Sequence, residues 1–306
     1  MLKPLNEQVI VITGASSGIG HCAARAFSKR GARVVVGARC NDRLNALVHD
    51  ITQAGGQAIA VPMDVTQRDQ VGELARTAVE RFGRIDTWIN NAGVSVYALF
   101  DKLDAEEIRR VMEVNFMGTV HGIHAVLPIL KSQGEGTIIN LGSLSGKRGF
   151  PLQTAYTASK FAIIGLGEAL RAELHRQWPG IKVCTVSPPP INTAFFDNAR
   201  SREGYAARPL PPVYPTERVV DALLVCALRP RREVNIGIVK PFVFWNRVAG
   251  GLLDRALGRW AIKRQLTDEP KSADAPSNLF TPSPYTREHG DWTRWGHRKP
   301  AARIEQ

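Results

Sequence analysis

The 306-residue chain reads as a doubly wound α/β protein, a seven-stranded parallel sheet flanked by helices with a helical and irregular extension at its C-terminal end. Three observations carry that reading. Short β-branched runs alternate with longer amphipathic stretches from the start to about residue 238, the pattern of parallel strands joined by crossover helices. The first strand runs straight into a glycine-rich turn and then a helix. Finally, 306 residues with 44% hydrophobic content suffice to bury one large core plus an appendage.

Strands are expected near 8–13, 33–38, 57–61, 85–90, 136–141, 181–187 and 233–238, and helices at about 18–30, 41–54, 67–82, 104–131, 154–177 and 216–228. In such a sheet the ligand crevice opens beyond the carboxyl ends of the strands. Residues 188–215 are proline-rich, carry Arg200, Arg202 and Arg208, and show neither periodicity, so they read as a substrate loop over that edge. The division is therefore 1–240 for the doubly wound domain and 241–306 for a basic extension, largely irregular after about residue 266.

The strand Gln8-Val9-Ile10-Val11-Ile12-Thr13 leads into Gly14-Ala15-Ser16-Ser17-Gly18-Ile19-Gly20. Glycines at 14, 18 and 20 let the backbone turn tightly against a pyrophosphate, and the following helix offers free N–H groups with Ser16, Ser17, Gly18 and Ile19 at its mouth. This is a Rossmann-type turn in its confirming context. The second strand ends Gly37-Ala38-Arg39, with no carboxylate to bind a ribose 2′-hydroxyl. A guanidinium there grips a 2′-phosphate, so the cofactor expected is NADP(H), with Arg39 joined by Arg43 as the clamp; the alternative is a solvated surface arginine.

Taken together, Thr13-Gly14-x-x-x-Gly18-Ile19-Gly20, Asn90-Asn91-Ala92-Gly93, Asn115, Ser143 and Tyr156-x-x-x-Lys160 resemble the short-chain dehydrogenase/reductase family over roughly residues 5–240. Tyr156 and Lys160 stand four apart on one helix face, where an ammonium would lower a phenol pKa from about 10 and make Tyr156 a general acid/base. The resemblance implies that Lys160 also holds the nicotinamide ribose and that Ser143 polarises the substrate carbonyl, with Ser145 as the nearby competitor. It implies that Asn115 kinks its helix and anchors a water leading from Lys160, the other reading being a tolerated surface asparagine. It assigns Asn91, Ala92 and Gly93 to the adenosine side of the cleft and Asp64-Val65 to the adenine, although Asp64 could instead cap the helix near Gln67. Where relatives carry Pro-Gly after the sixth strand this chain has Pro188-Pro189-Pro190, which leaves the carboxamide contact to Ile191 and the phosphate side to Thr193. Dimers or tetramers are implied by the same likeness.

Tyr97, Phe150, Phe195 and Phe196, with Val94, give the crevice an apolar lining suited to a hydrophobic substrate. The activity expected is hydride transfer between NADP(H) and a carbonyl or secondary alcohol. Two rivals stand beside it: a 3-oxoacyl-thioester reductase whose Arg200, Arg202 and Arg208 meet a carrier protein or coenzyme A phosphate, and an NADP(H) sensor without turnover.

The net charge is +12, and residues 229–306 hold 15 basic against 8 acidic side chains, so the extension carries most of the surplus. Within it, residues 245–261 place Trp245, Val248, Ala249, Leu252, Leu253, Ala256, Leu257, Trp260 and Ala261 on one helical stripe, with Arg247, Arg255 and Arg259 opposite. Such a helix can pack on its own domain or a second subunit, or lie on an anionic membrane; Gly250, Gly251 and Gly258 favour packing. Trp292 and Trp295 are read as docking points of the tail, and nothing else in the sequence points to nucleic acid. His289 and His297 lack a ligand set for a metal, and Cys22, Cys40, Cys184 and Cys226 read as reduced core thiols. With no signal-peptide pattern or long apolar run, a soluble cytoplasmic protein is expected.

Overall fold

A computed structural model of the chain describes residues 3–282 and 289–299; the tail stretches 283–288 and 300–306 lie outside the described residues. In chain order the elements are β1 (Val9–Thr13), α1 (Gly18–Ser28), β2 (Arg33–Ala38), α2 (Asn41–Gln53), β3 (Gln57–Pro62), α3 (Arg68–Phe82), β4 (Thr87–Asn90) and the short β5 (Val96–Tyr97). There follow α4 (Ala105–Met112), α5 (Gly118–Gln133), β6 (Gly136–Leu141), α6 (Thr154–Gln177) and β7 (Ile181–Ser187). The last part holds α7 (Phe195–Asn198), β8 (Arg200–Ser201), β9 (Tyr205–Ala207), α8 (Glu217–Leu228), β10 (Glu233–Asn235), α9 (Val239–Arg264) and β11 (Leu266–Pro270).

The main sheet has the order β10-β7-β6-β4-β1-β2-β3, every pair parallel. Strand β1 shows why the fold is doubly wound. All five of its residues are buried, and successive side chains point to opposite faces. Ile10 and Ile12 join a core with Phe27 of α1, Leu44 and Leu47 of α2 and Leu223 of α8. Val9 and Val11 join a second core with Leu74 of α3, Leu130 of α5 and Leu174 of α6. The chain winds outward in both directions from β1 and β4, and the crevice opens where they diverge.

Three features depart from the periodicity. The helix expected over 104–131 is broken by a π-helical turn at Glu113–Met117, which separates α4 from α5. The stretch 188–215 is not structureless: β8 pairs with β5, β9 pairs with β11 of the extension, and Tyr97, Leu152, Phe196, Val213 and Trp292 form a third small core. The extension helix runs from Val239 to Arg264 with non-helical torsions at Ala249, longer than the 245–261 stripe. Of the two tail tryptophans, Trp292 is buried in the third core whereas Trp295 is 65% exposed. Cys184 and Cys226 are buried, but Cys22 and Cys40 are only partly so, and all four are free thiols.

Candidate active site

The nucleotide end of the crevice is assembled around backbone contacts too close for any side chain. A Cβ on Gly14, whose φ is +70°, would lie 2.7 Å from Ala92 Cα, and one on Gly20 would lie 2.5 Å from the Gly14 carbonyl oxygen. Asn91 locks the turn: its Nδ2 donates to the carbonyl oxygens of Thr13 and Gly14, both at 3.0 Å, and its backbone N–H donates to Thr13 Oγ1. The Asn-Asn-Ala-Gly segment thus shapes the glycine turn itself. Helix α1 begins at Gly18 with Ser17 as N-cap and no side-chain cap, so its first amides face the crevice beside Ser16 and Ile19. Thr193 reaches the same place, its Cβ within 3.3 Å of where a Gly18 Cβ would be. Ile191 is buried, bridges Tyr214 and also lines the crevice.

At the far end, Ala38, Arg39, Arg43, Asp64 and Val65 line the wall. Arg39 is neither free nor merely solvated. Its guanidinium donates to the backbone oxygens of Asn278 at 2.5 Å and Phe280 at 3.1 Å, carbonyls brought from the tail. Leu279 between them is fully buried in the second core, and Arg110 Nε donates to its carbonyl oxygen. Asp64 does not cap α3, whose N-cap is Gln67. Its Oδ1 accepts from the Thr66 N–H and hydroxyl and its Oδ2 from Arg110 at 2.8 Å. Burial opposes its charge, but these hydrogen bonds prevail and hold the carboxyl below the usual carboxylate range.

The chemical end collects Asn115 from the π-helical turn, Ser143 from the loop after β6, and Tyr156 and Lys160 from α6. Ser143 follows β6 in extended backbone and accepts from the Ser145 N–H at 3.0 Å, and it is Ser143 rather than Ser145 whose hydroxyl lies near enough to the Tyr156 phenol to pull its pKa down. Lys160 is buried one helical turn beyond Tyr156, its Nζ donating to the Leu141 carbonyl oxygen at 2.8 Å and standing 5.6 Å from the Tyr156 ring centroid. The π-helical turn carries Asn115 inward, where its side chain is fully used: Oδ1 accepts from the Val94 N–H at 2.8 Å, and Nδ2 donates to Val94 O and Ser159 Oγ. Asn115 is therefore a buried clamp between the loop after β4 and helix α6, and the surface reading of it is excluded.

The electrostatics correct the sequence reading. The phenol is not made acidic by the lysine. Burial pushes Tyr156 up to about 12, with the nearby Ser143 hydroxyl pulling the other way, and burial pushes Lys160 down to about 8. Apolar walls disfavour both charged forms, and the ammonium is bonded to a carbonyl oxygen rather than to the phenol.

A cavity of about 460 Å³ joins the two ends. Phe195 tilts against Tyr156 at 5.6 Å between centroids and meets Phe196 edge-on. Tyr97 is fully buried on the wall, and its hydroxyl has no hydrogen-bond partner among the described residues. Phe150 stacks at 5.8 Å on Phe242, which with Leu257 and Trp260 of α9 completes the lining. Sequence reasoning missed those three and Asn278. The helical spacing of α9 showed an apolar stripe without showing which side met the cleft, and no signal marked Asn278. The loop arginines are engaged internally: Arg200 and Arg202 pair with the buried Glu107 at 2.7 and 3.0 Å, and Arg208 Nε donates to the Arg264 carbonyl oxygen.

A family model described as short chain dehydrogenase matches residues 8–204. A protein of Bacillus subtilis described as uncharacterized oxidoreductase YxnA is 36% identical over 282 residues, covering 91% of this chain and 79% of its own. Among solved structures, a short chain dehydrogenase/reductase from Burkholderia phymatum in complex with NAD superposes with TM-score 0.74 at 24% identity, covering 82% of this chain and 97% of that one. An alcohol dehydrogenase from Thermococcus sibiricus complexed with 5-hydroxy-NADP gives 0.65 at 28% identity, over 75% and 95% of the two chains.

Proposed function

The chain belongs to the short-chain dehydrogenase family of oxidoreductases, and on that footing we propose that it reduces the carbonyl group of a largely apolar substrate with NADPH. The observation that carries this reading is the Ser143–Tyr156 hydroxyl pair, set on the wall of an apolar cavity that continues into the glycine turn. The nucleotide fits the residues present: the Gly14–Ala92 approach leaves room for nothing but backbone, α1 offers uncapped amides, and Arg39 supplies a cation where an NAD-binding chain would need a carboxylate. When bound there, the cofactor supplies the hydride.

The protein's own groups then divide the work. Ser143 and Tyr156 orient the carbonyl oxygen by hydrogen bonds, and Tyr156 delivers the proton. A phenol raised to about 12 stays protonated through the neutral range, the form that reduction requires. Lys160, lowered to about 8, exchanges protons near neutrality and sits one turn from the phenol to reload it. Asn115 fixes α6 to the loop at Val94 and so holds the set in register. Phe195, Phe196, Phe150 and the α9 side chains exclude water and favour an apolar substrate. At the other end Asp64 and Val65 would hold the adenine and Arg39, with Arg43, the 2′-phosphate.

The acyl-thioester reading is favoured less, since Arg200 and Arg202 are paired with Glu107, although Arg208 gives only its Nε to the Arg264 carbonyl oxygen. NADPH consumption with ketones and aldehydes of increasing apolar size tests the proposal. Turnover that rises with apolar size and vanishes in Tyr156→Phe is the expected result. Tight NADPH binding without turnover on any carbonyl would mark a sensor, and a preference for NADH would refute the role given to Arg39.

A further inference from the structure

Helix α9 has two sides with different fates. Its inner side is firmly attached: Phe242 stacks on Phe150, Arg148 donates to Asn246 at 2.7 Å and pairs with Asp254, Leu257 and Ala261 are buried, and Gln265 at its end donates to the Pro151 carbonyl oxygen. Its outer side is apolar and uncovered. Phe244, Trp245, Val248 and Leu252 are between 61 and 67% exposed, the two rings packed edge-on against each other. Trp245 and Val248 lead up to the break at Ala249, and beyond it Leu252, Arg255, Arg259 and Lys263 follow at helical spacing; all six are exposed, so the outward strip passes from aromatic to cationic across that break. The stripe that the sequence suggested for packing is thus divided between two sides, and Trp245, Val248 and Leu252 fall on the wrong one.

The charges say what covers this face. Lys240, Arg247, Arg255, Arg259 and Lys263 are exposed and have no acidic partner among the described residues, and the helix's one acid, Asp254, is turned to Arg148. A second copy docked through the same patch would bring the same residues to the contact and so no free carboxylate to meet these cations. A surface that presents apolar and anionic groups at once, with an interface suited to tryptophan, satisfies both halves of the strip. No helix among the described residues is long and apolar enough to cross a membrane.

We propose that the outer face of α9 docks the enzyme peripherally on an anionic lipid bilayer, Phe244, Trp245, Val248 and Leu252 entering the headgroup boundary and the flanking cations meeting lipid phosphates. Because Phe242, Leu257 and Trp260 of the same helix line the substrate cavity, the docked helix is the wall between bilayer and active site. An apolar carbonyl compound would then enter from the lipid; that consequence alone rests on the activity proposed above, and the docking does not.

The test is flotation of the full chain, without nucleotide or substrate, with vesicles of phosphatidylcholine alone and of phosphatidylcholine containing one third phosphatidylglycerol. The vesicle partition coefficient is expected to be at least ~10-fold higher on the anionic vesicles, and to collapse in high salt. Trp245→Ser/Leu252→Ser should reduce anionic partitioning at least ~10-fold, and Arg255→Ala/Arg259→Ala by a comparable factor, with thermal stability and NADPH affinity unchanged because all four side chains are exposed and outside the cleft. Absence of flotation on anionic vesicles overturns the proposal. So does parental flotation of the Trp245/Leu252 variant. Conversion of an oligomer to a monomer by that variant in sedimentation, with no vesicle binding, would assign the face to a second copy instead.

Discussion

The nucleotide turn and the C-terminal extension line the same cavity but are built on different principles. In the turn most partners lie in two short motifs, and the 2.7 Å that would separate a Gly14 Cβ from Ala92 Cα leaves no freedom to the sequence. In the extension, partners come from far along the chain: Arg39 to Asn278, Gln153 to Gln265, Phe150 to Phe242, Phe196 to Trp292. Backbone-to-backbone fit fixes a chemistry that admits little change, whereas side-chain packing of a distant segment sets walls and grip that can vary without disturbing it.

The sharpest way to break that contrast is Tyr156→Phe. Carbonyl reduction should fall by roughly 10²–10⁴-fold while NADPH affinity, measured by fluorescence titration, stays at the parent value. A parental rate in a variant that still binds nucleotide would place the chemistry elsewhere.

Arg39→Ala probes the junction of the two regions. NADPH affinity should drop about 10- to 100-fold and NADH affinity change little, because a charge-assisted contact to phosphate is worth about 1.5–3 kcal/mol. Equal losses for both nucleotides would show that Arg39 acts only as the anchor of the tail.

Buried Lys160 offers a test without any ligand. The unfolded chain keeps this proton up to about 10.5 and the folded chain releases it near about 8, so unfolding takes up a proton between those values and stability rises with pH there. Tyr156 acts in the opposite sense above about 10, where the unfolded phenol ionises and the folded one, at about 12, does not. Denaturant unfolding at about pH 7.5 and about pH 9.5 should show a gain of about 1–3 kcal/mol in the parent that Lys160→Met lacks. An identical pH dependence in both proteins would mean that Lys160 is not held neutral by burial.

The smallest effect expected is that of Leu279→Ala. It loosens the tail from the second core and should weaken NADPH binding about threefold through a less ordered Arg39, with turnover at saturating NADPH unaltered. A change in turnover, read in the same steady-state assay, would show that the tail reaches the reacting end.

The sheet, the glycine turn and the positions of Asn115, Ser143, Tyr156 and Lys160 were determined by the sequence alone. A strand's two-residue period, a glycine-rich turn between strand and helix and two side chains four apart on a helix are local facts, legible without knowing what lies across the cleft. Tertiary structure decided what depends on burial and on distant partners. It raised the Tyr156 pKa instead of lowering it, because the apolar surroundings outweigh a lysine bonded to Leu141. It gave Arg39 two carbonyl partners from residues 278 and 280, engaged the loop arginines with Glu107 and Arg264, and turned one side of α9 to the cavity and the other outward. Periodicity reveals that a helix has an apolar stripe, but only the packed neighbours determine which part of it is covered, since the free energy of burial belongs to the pair of surfaces and not to either sequence.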